Sequence, residues 1–148
     1  MEEKLVNSKT AKLAKSLGFK LPVYACYNEE GVLEDLDNLW HRGCEGGMEL
    51  YEWFHDYNSY VGKLLFSAPT QSLLQRWLRE VHKIDCEAYL HNWTGTKFER
   101  RYKYHRHKGV NYYNCVTSTS EYITYEDALE EGLYETLVSI SNLLHNPQ

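Results

Sequence analysis

The sequence has no long apolar run and little cysteine, proline or methionine. Its 148 residues include four Cys, three Pro and two Met. No apolar stretch approaches the roughly 20 residues that a membrane-spanning helix requires, and the charged first residues lack the apolar core of a signal peptide. The cysteines are widely and irregularly spaced, so we expect reduced thiols rather than a disulfide framework. These absences predict a cytoplasmic protein that does not enter a membrane.

The chain also lacks the short motifs that identify common enzyme classes. It contains no P-loop, no dinucleotide fingerprint, no G-x-S-x-G elbow and no H-E-x-x-H. Ser, Cys, His and acidic residues are present, but their scatter along the chain does not identify a nucleophile with its base. The sequence therefore predicts no catalytic residue and no cofactor, and it favours a non-enzymatic protein.

A metal site remains open as an alternative. His41 and Cys44 form an H-x-x-C pair beside glycines, and Cys86 with His91 offers a second pair. Structural zinc usually takes two tightly spaced pairs, and only one is tight here, so no metal ligand is assigned. Three neighbouring acids are the candidates for a metal-dependent enzyme such as a nuclease: Glu34, Asp35 and Asp37.

What the chain does have is aromatic side chains and mixed charge. Thirteen Tyr, four Trp and four Phe make up an aromatic fraction of 14%, and the net charge is −5. Tyr favours half-buried strands and contact surfaces. A net negative charge argues against non-specific duplex binding as the main activity, because phosphate attraction dominates that affinity. The length is typical of one domain, so we predict a single domain over residues 1–148.

The first half predicts a short helix and a strand. The helix runs from about Ser8, as its cap, to Leu17, and Gly18 ends it. The alternating stretch KLPVYACYN predicts a strand. The segment 29–56 holds nine acidic residues and one Arg. Within it, Leu33, Leu36 and Trp40 indicate a helical turn, and MELYEWFHDY a second short helix.

The second half predicts an αβββα order. SAPTQSLLQRWLREVHKI has a helical apolar stripe that includes Val81, with Ser67 or Thr70 as the cap. Three alternating stretches follow, the last from Val110 to Thr117, and form an antiparallel meander. A final helix from about Thr124 to Leu144 begins with a capping box and carries its own apolar stripe. We therefore predict an α+β fold, in which an N-terminal short helix and strand precede αβββα, with both helices on one face of the sheet.

The middle strand, KFERRYKYHRHKG at 97–109, holds six of the sixteen Lys and Arg and one acid. Three interpretations stay open: charges that keep a sheet edge or open face from aggregating, a surface that binds protein or the acidic 29–56 segment, and a surface that binds nucleic acid by charge and stacking. For the last two, the candidate contact residues are Arg101, Lys103, His105, Arg106 and Lys108.

SAPTQSLLQRWLREVHKI, the preceding Ser16-Leu17-Gly18-Phe19 and the later YEDALEEGLYETLVSI resemble a group of short uncharacterised proteins of phages and prophage-like elements of Bacteroidetes. The group has no assigned activity, so the resemblance implies an origin and no functional residues. The αβββα order is also similar to the double-stranded-RNA-binding domain and to the HicB antitoxin fold. Those likenesses imply nucleic-acid binding. The start of the last helix (Tyr125, Glu126, Asp127) lacks the basic cluster of the first family, and no Lys or Arg follows Leu144 where the second family has its DNA-binding tail.

These observations lead to one preferred function and two alternatives. The preferred function is a phage or prophage accessory protein that acts through protein–protein contacts. It would form a homodimer through the Tyr-rich face of its sheet or bind another protein. The alternatives are a nucleic-acid-binding domain that uses the basic strand and a metal-dependent enzyme.

Overall fold

The computed structural model describes residues 3–34, 56–59, 65–94, 97–108 and 111–145. They belong to two compact units. One comprises Leu5–Pro69, and the other comprises Thr70–Gln148 together with Met1–Lys4. Whether the units act as one domain, as the sequence predicts, stays a prediction. Helices and antiparallel sheets occur together, so the α+β class is confirmed.

Helix α1 (Ser8–Ser16) opens the first unit. Its cap is Asn7 and not Ser8, because the Asn7 side-chain oxygen accepts a hydrogen bond from the Thr10 N–H at 2.9 Å. At the other end, Gly18 adopts φ +89°. This left-handed residue lets the Phe19 N–H bond to the Ala14 carbonyl at 3.0 Å, a Schellman ending. The predicted stop at Gly18 is therefore confirmed.

A small sheet follows in the same unit. Its strands are β1 (Cys26–Tyr27), β2 (Leu33–Glu34) and β3 (Phe66–Ser67), in the order β2-β1-β3. The predicted nine-residue strand is shorter than expected, since Pro22 within it lacks the N–H that a ladder needs. Leu33 lies in β2, so the helical turn predicted to begin there is wrong at that residue. The other elements predicted over 35–55 lie outside the described residues.

Helix α2 (Gln71–Trp77) begins the second unit. Of the two predicted caps, Thr70 is the one used: its hydroxyl accepts from the Leu73 N–H at 3.2 Å. The chain then widens into a π turn, Leu78–His82, which ends at Lys83 in the left-handed conformation. The wider turn rotates later side chains relative to an α-helix. Val81 is consequently 58% exposed, and its predicted place in the apolar stripe is wrong.

The meander consists of β4 (Ile84–Thr94), β5 (Lys97–Lys108) and β6 (Asn111–Thr117), paired antiparallel in the order β4-β5-β6. Helix α3 (Tyr125–His145) follows, and the Thr124 hydroxyl caps it by accepting from the Asp127 N–H at 3.0 Å. The helix packs on β4 and β5, and α2 packs on α3. The predicted αβββα order with both helices on one face is confirmed.

Helix α3 approaches the sheet closely at Gly132. A Cβ built there would lie 2.8 Å from the Tyr102 Cβ and 3.0 Å from the Cys86 Sγ. One turn later, the Thr136 hydroxyl donates to the Gly132 carbonyl at 2.7 Å. The predicted stripe of α3 is buried as far as Ile140, whereas Leu144 is 66% exposed because the helix runs past its buried segment.

The outer strand β4 has two further features. The Cys86 carbonyl accepts a hydrogen bond from the Gln75 Nε2 of α2 at 2.7 Å. Near the far end of the strand, a bulge between Leu90 and Asn92 shifts the register against β5. Leu90, predicted to continue the apolar face of Ile84, Cys86 and Ala88, is instead 50% exposed.

Candidate functional site

The two faces of the meander differ sharply in their side chains. Tyr102 lies opposite Ala88 across the β4–β5 pair, on the face that α3 covers. Because side chains alternate along a strand, the residues between them point to the other face. There, charged and aromatic residues stand opposite one another in three cross-strand pairs, which we call the open face: Asp85–His105, Glu87–Lys103 and Tyr89–Arg101.

Lys103 occupies the centre of the open face and is paired within the chain. Its Nζ lies 2.9 Å from the Glu87 Oε1 and 5.5 Å from the centroid of the Tyr89 ring. The hydrogen bond to Glu87 and then its charge raise the pKa of Lys103 above the ordinary lysine value. The cation therefore sits against a carboxylate and over an aromatic face.

Arg101 has a carboxylate partner from outside the three strands. Its Nη2 lies 2.8 Å from the Oε1 of Glu121, which follows β6 in the chain. The Arg101 side chain is 23% exposed. Its guanidinium is thus held beside a neutralising group.

His105 and Asp85 form the third pair. The His105 Nε2 lies 3.8 Å from the Asp85 Oδ2, and the Arg79 Nε donates to the Asp85 Oδ1 at 2.6 Å. His105 is only 14% exposed on its side chain. Asp85 therefore links the π turn after α2 to the middle strand, and it places a negative charge beside the basic strand.

The other two predicted contact residues lie apart from this group. Arg106 stands opposite the buried Ile84, so it points to the helix side of the sheet, and it is exposed. No ion pair involves Arg106 among the residues that the structure describes. The backbone of Lys108 pairs with Asn111 at the end of β5, and its side chain lies outside the described set. The predicted set is therefore divided between the two faces.

Sequence reasoning missed the carboxylates that accompany the basic strand. The acidic partner considered from the sequence was the 29–56 segment, most of which lies outside the described residues. The partners found are Asp85, Glu87 and Glu121. A signal was present in β4, where Asp85 and Glu87 alternate with Cys86, but only the register against β5 shows which base each acid faces.

The candidate metal ligands do not form a site within the described ranges. Cys86 is buried under α3, and burial raises the pKa of its thiol to about 12. Glu34 accepts a hydrogen bond from the Asn28 Nδ2 at 2.8 Å. No group of three His, Cys, Asp or Glu suited to a metal ion occurs in this part of the chain. Four of the other candidate ligands lie outside the described residues: Asp35, Asp37, His41 and Cys44.

Comparison with protein-family models, with curated proteins and with solved structures finds no match for this chain. Within the described residues, none of the three α-helices combines the length and apolar character needed to cross a bilayer. The site must therefore be interpreted from its own geometry.

Proposed function

We propose that this chain is a non-enzymatic accessory protein, of phage or prophage origin and active in the cytoplasm, that works through protein–protein contacts made by its open face. The supporting observation is the internal pairing of the basic strand. Lys103 and Arg101 each lie within 3 Å of a carboxylate of the same unit. A surface with both signs of charge around an aromatic ring is suited to another protein surface, where charge pattern sets register and specificity.

The same pairing weakens the nucleic-acid alternative. A strand that follows a phosphate backbone gains affinity when its cations release counterions from that backbone. Here a phosphate would first have to displace Glu87 from Lys103 or Glu121 from Arg101. Arg106 is exposed, and it points to the other side of the sheet from Lys103. Arg101, Lys103 and Arg106, the set's described Lys and Arg side chains, therefore do not lie along one continuous track for a phosphate backbone.

Titration with labelled single- and double-stranded DNA and RNA tests this proposal against its alternative. At low salt we expect no binding tighter than the non-specific range of roughly 10⁻⁴–10⁻⁶ M. In parallel, affinity purification from the native host should recover a protein set that is lost with Tyr89→Ser and retained with Lys20→Glu, a control at an exposed residue of the other unit. Tight, salt-sensitive nucleic-acid binding that Lys103→Ala abolishes would contradict the proposal.

A further inference from the structure

The charges of the open face are arranged in two parallel rows. The acids Asp85 and Glu87 lie along β4, and the bases Arg101 and Lys103 lie along β5, together with His105. Each base stands opposite an acid or the Tyr89 ring, at the same level along the strands. An acidic row therefore runs beside a basic row, in matched register.

Such a surface is complementary to itself. Consider a two-fold axis that runs parallel to the strands, above the open face and over the line between β4 and β5. Rotation about this axis leaves every residue at the same height along the strand direction. It also exchanges the two rows, so that β4 of one copy lies above β5 of the other. Glu87 then faces Lys103 of a second copy, and Asp85 faces His105 of that copy. Contacts with this symmetry are isologous, which is the commonest arrangement in protein dimers.

We infer that the partner of the open face is a second copy of this chain, stacked face to face with its acidic row on the basic row. The inference rests on the proposed function, because it names the protein that the open face binds. Stacked sheets lie about 10 Å apart, so side chains from both copies interdigitate between them. Tyr89 supplies apolar area beside the central pair, and Lys103 and Glu87 of one copy face Glu87 and Lys103 of the other.

Charge-reversal variants test this arrangement. Light scattering after size exclusion should show a dimer for the wild type that weakens as salt rises. Glu87→Lys alone and Lys103→Glu alone should each weaken the dimer about tenfold or more, because like charges then face each other twice across the two-fold axis. Glu30→Lys and Lys20→Glu make the same charge changes at exposed residues of the other unit and should leave the dimer unchanged.

Mixing the two open-face variants provides the decisive measurement. In the mixed dimer, Glu87 of the Lys103→Glu chain meets Lys103 of the Glu87→Lys chain, and the two introduced charges also meet with opposite sign. Each chain keeps its internal like-charge pair, so recovery of dimer in the mixture can arise only from contacts between copies. A wild type that stays monomeric at every concentration, or a mixture without recovery, overturns the inference. The proposed function would be overturned by a different result, which is tight binding of nucleic acid.

Discussion

Replacing Gly132 by Ala tests how closely helix α3 seats on the sheet. The added Cβ would lie 2.8 Å from the Tyr102 Cβ, 2.9 Å from its Cγ and 3.0 Å from the Cys86 Sγ. The Tyr102 atoms are next to the backbone and cannot swing aside, so the helix or strand must shift. Because three contacts of 3.0 Å or less arise at once, the overpacking cost falls in the upper part of its usual range, at about 2–3 kcal/mol, and the better helix propensity of Ala returns about 1 kcal/mol. We expect a net destabilisation of about 1–2 kcal/mol.

Urea denaturation followed by circular dichroism measures this difference. The midpoint should fall while the slope stays unchanged, and the melting temperature should fall by about 2–4 °C per kcal/mol for a chain of this size. Asn142→Ala is the matched control, because it adds the same residue at an exposed position of the same helix. Its stability should change by no more than a few tenths of a kcal/mol. A Gly132→Ala protein as stable as the wild type would refute the close approach described here.

Three further predictions concern single groups. Burial lowers the pKa of His82 in the folded protein. The stability that depends on neutral His82 is therefore present above the unfolded pKa of about 6.5 and is lost as the pH falls below that value. In this pH range the free energy of unfolding of His82→Gln should decrease less steeply than that of the wild type. Thr70→Ala should cost about 1 kcal/mol in chemical denaturation, since it removes the cap of α2; a neutral result would show that the cap hydrogen bond contributes nothing. Burial raises the thiol pKa of Cys26 to about 11 and that of Cys86 to about 12, whereas Cys115 is exposed. Mass spectrometry of a timed thiol-labelling reaction should therefore find Cys115 modified before Cys26 and Cys86.

Local patterns in the sequence were enough to predict most of the second unit. The spacing of Leu129, Leu133 and Leu137 predicts the buried stripe of α3, and all three are buried. Thr70 and Thr124 predict the helix starts because a cap depends on its immediate neighbours. These features are determined by a few consecutive residues.

Features that depend on distant residues were not predictable in the same way. The π turn moves Val81 to the surface, and nothing in the spacing of α2 signals an extra residue in that turn. The partners of Lys103 and Arg101 come from β4 and from the segment after β6, so they depend on strand register. The charge of the basic strand could be counted from the sequence, but its neutralisation could not.

The hydrogen bond from Gln75 to the Cys86 carbonyl also covers part of one edge of the meander. Edge-to-edge assembly of sheets requires an edge strand with unpaired backbone N–H and C=O groups. Helix α2 sits against β4 and occupies that carbonyl, so β4 does not offer a bare edge at Cys86. The outer edge of the meander is therefore protected at Cys86 against pairing with a further strand.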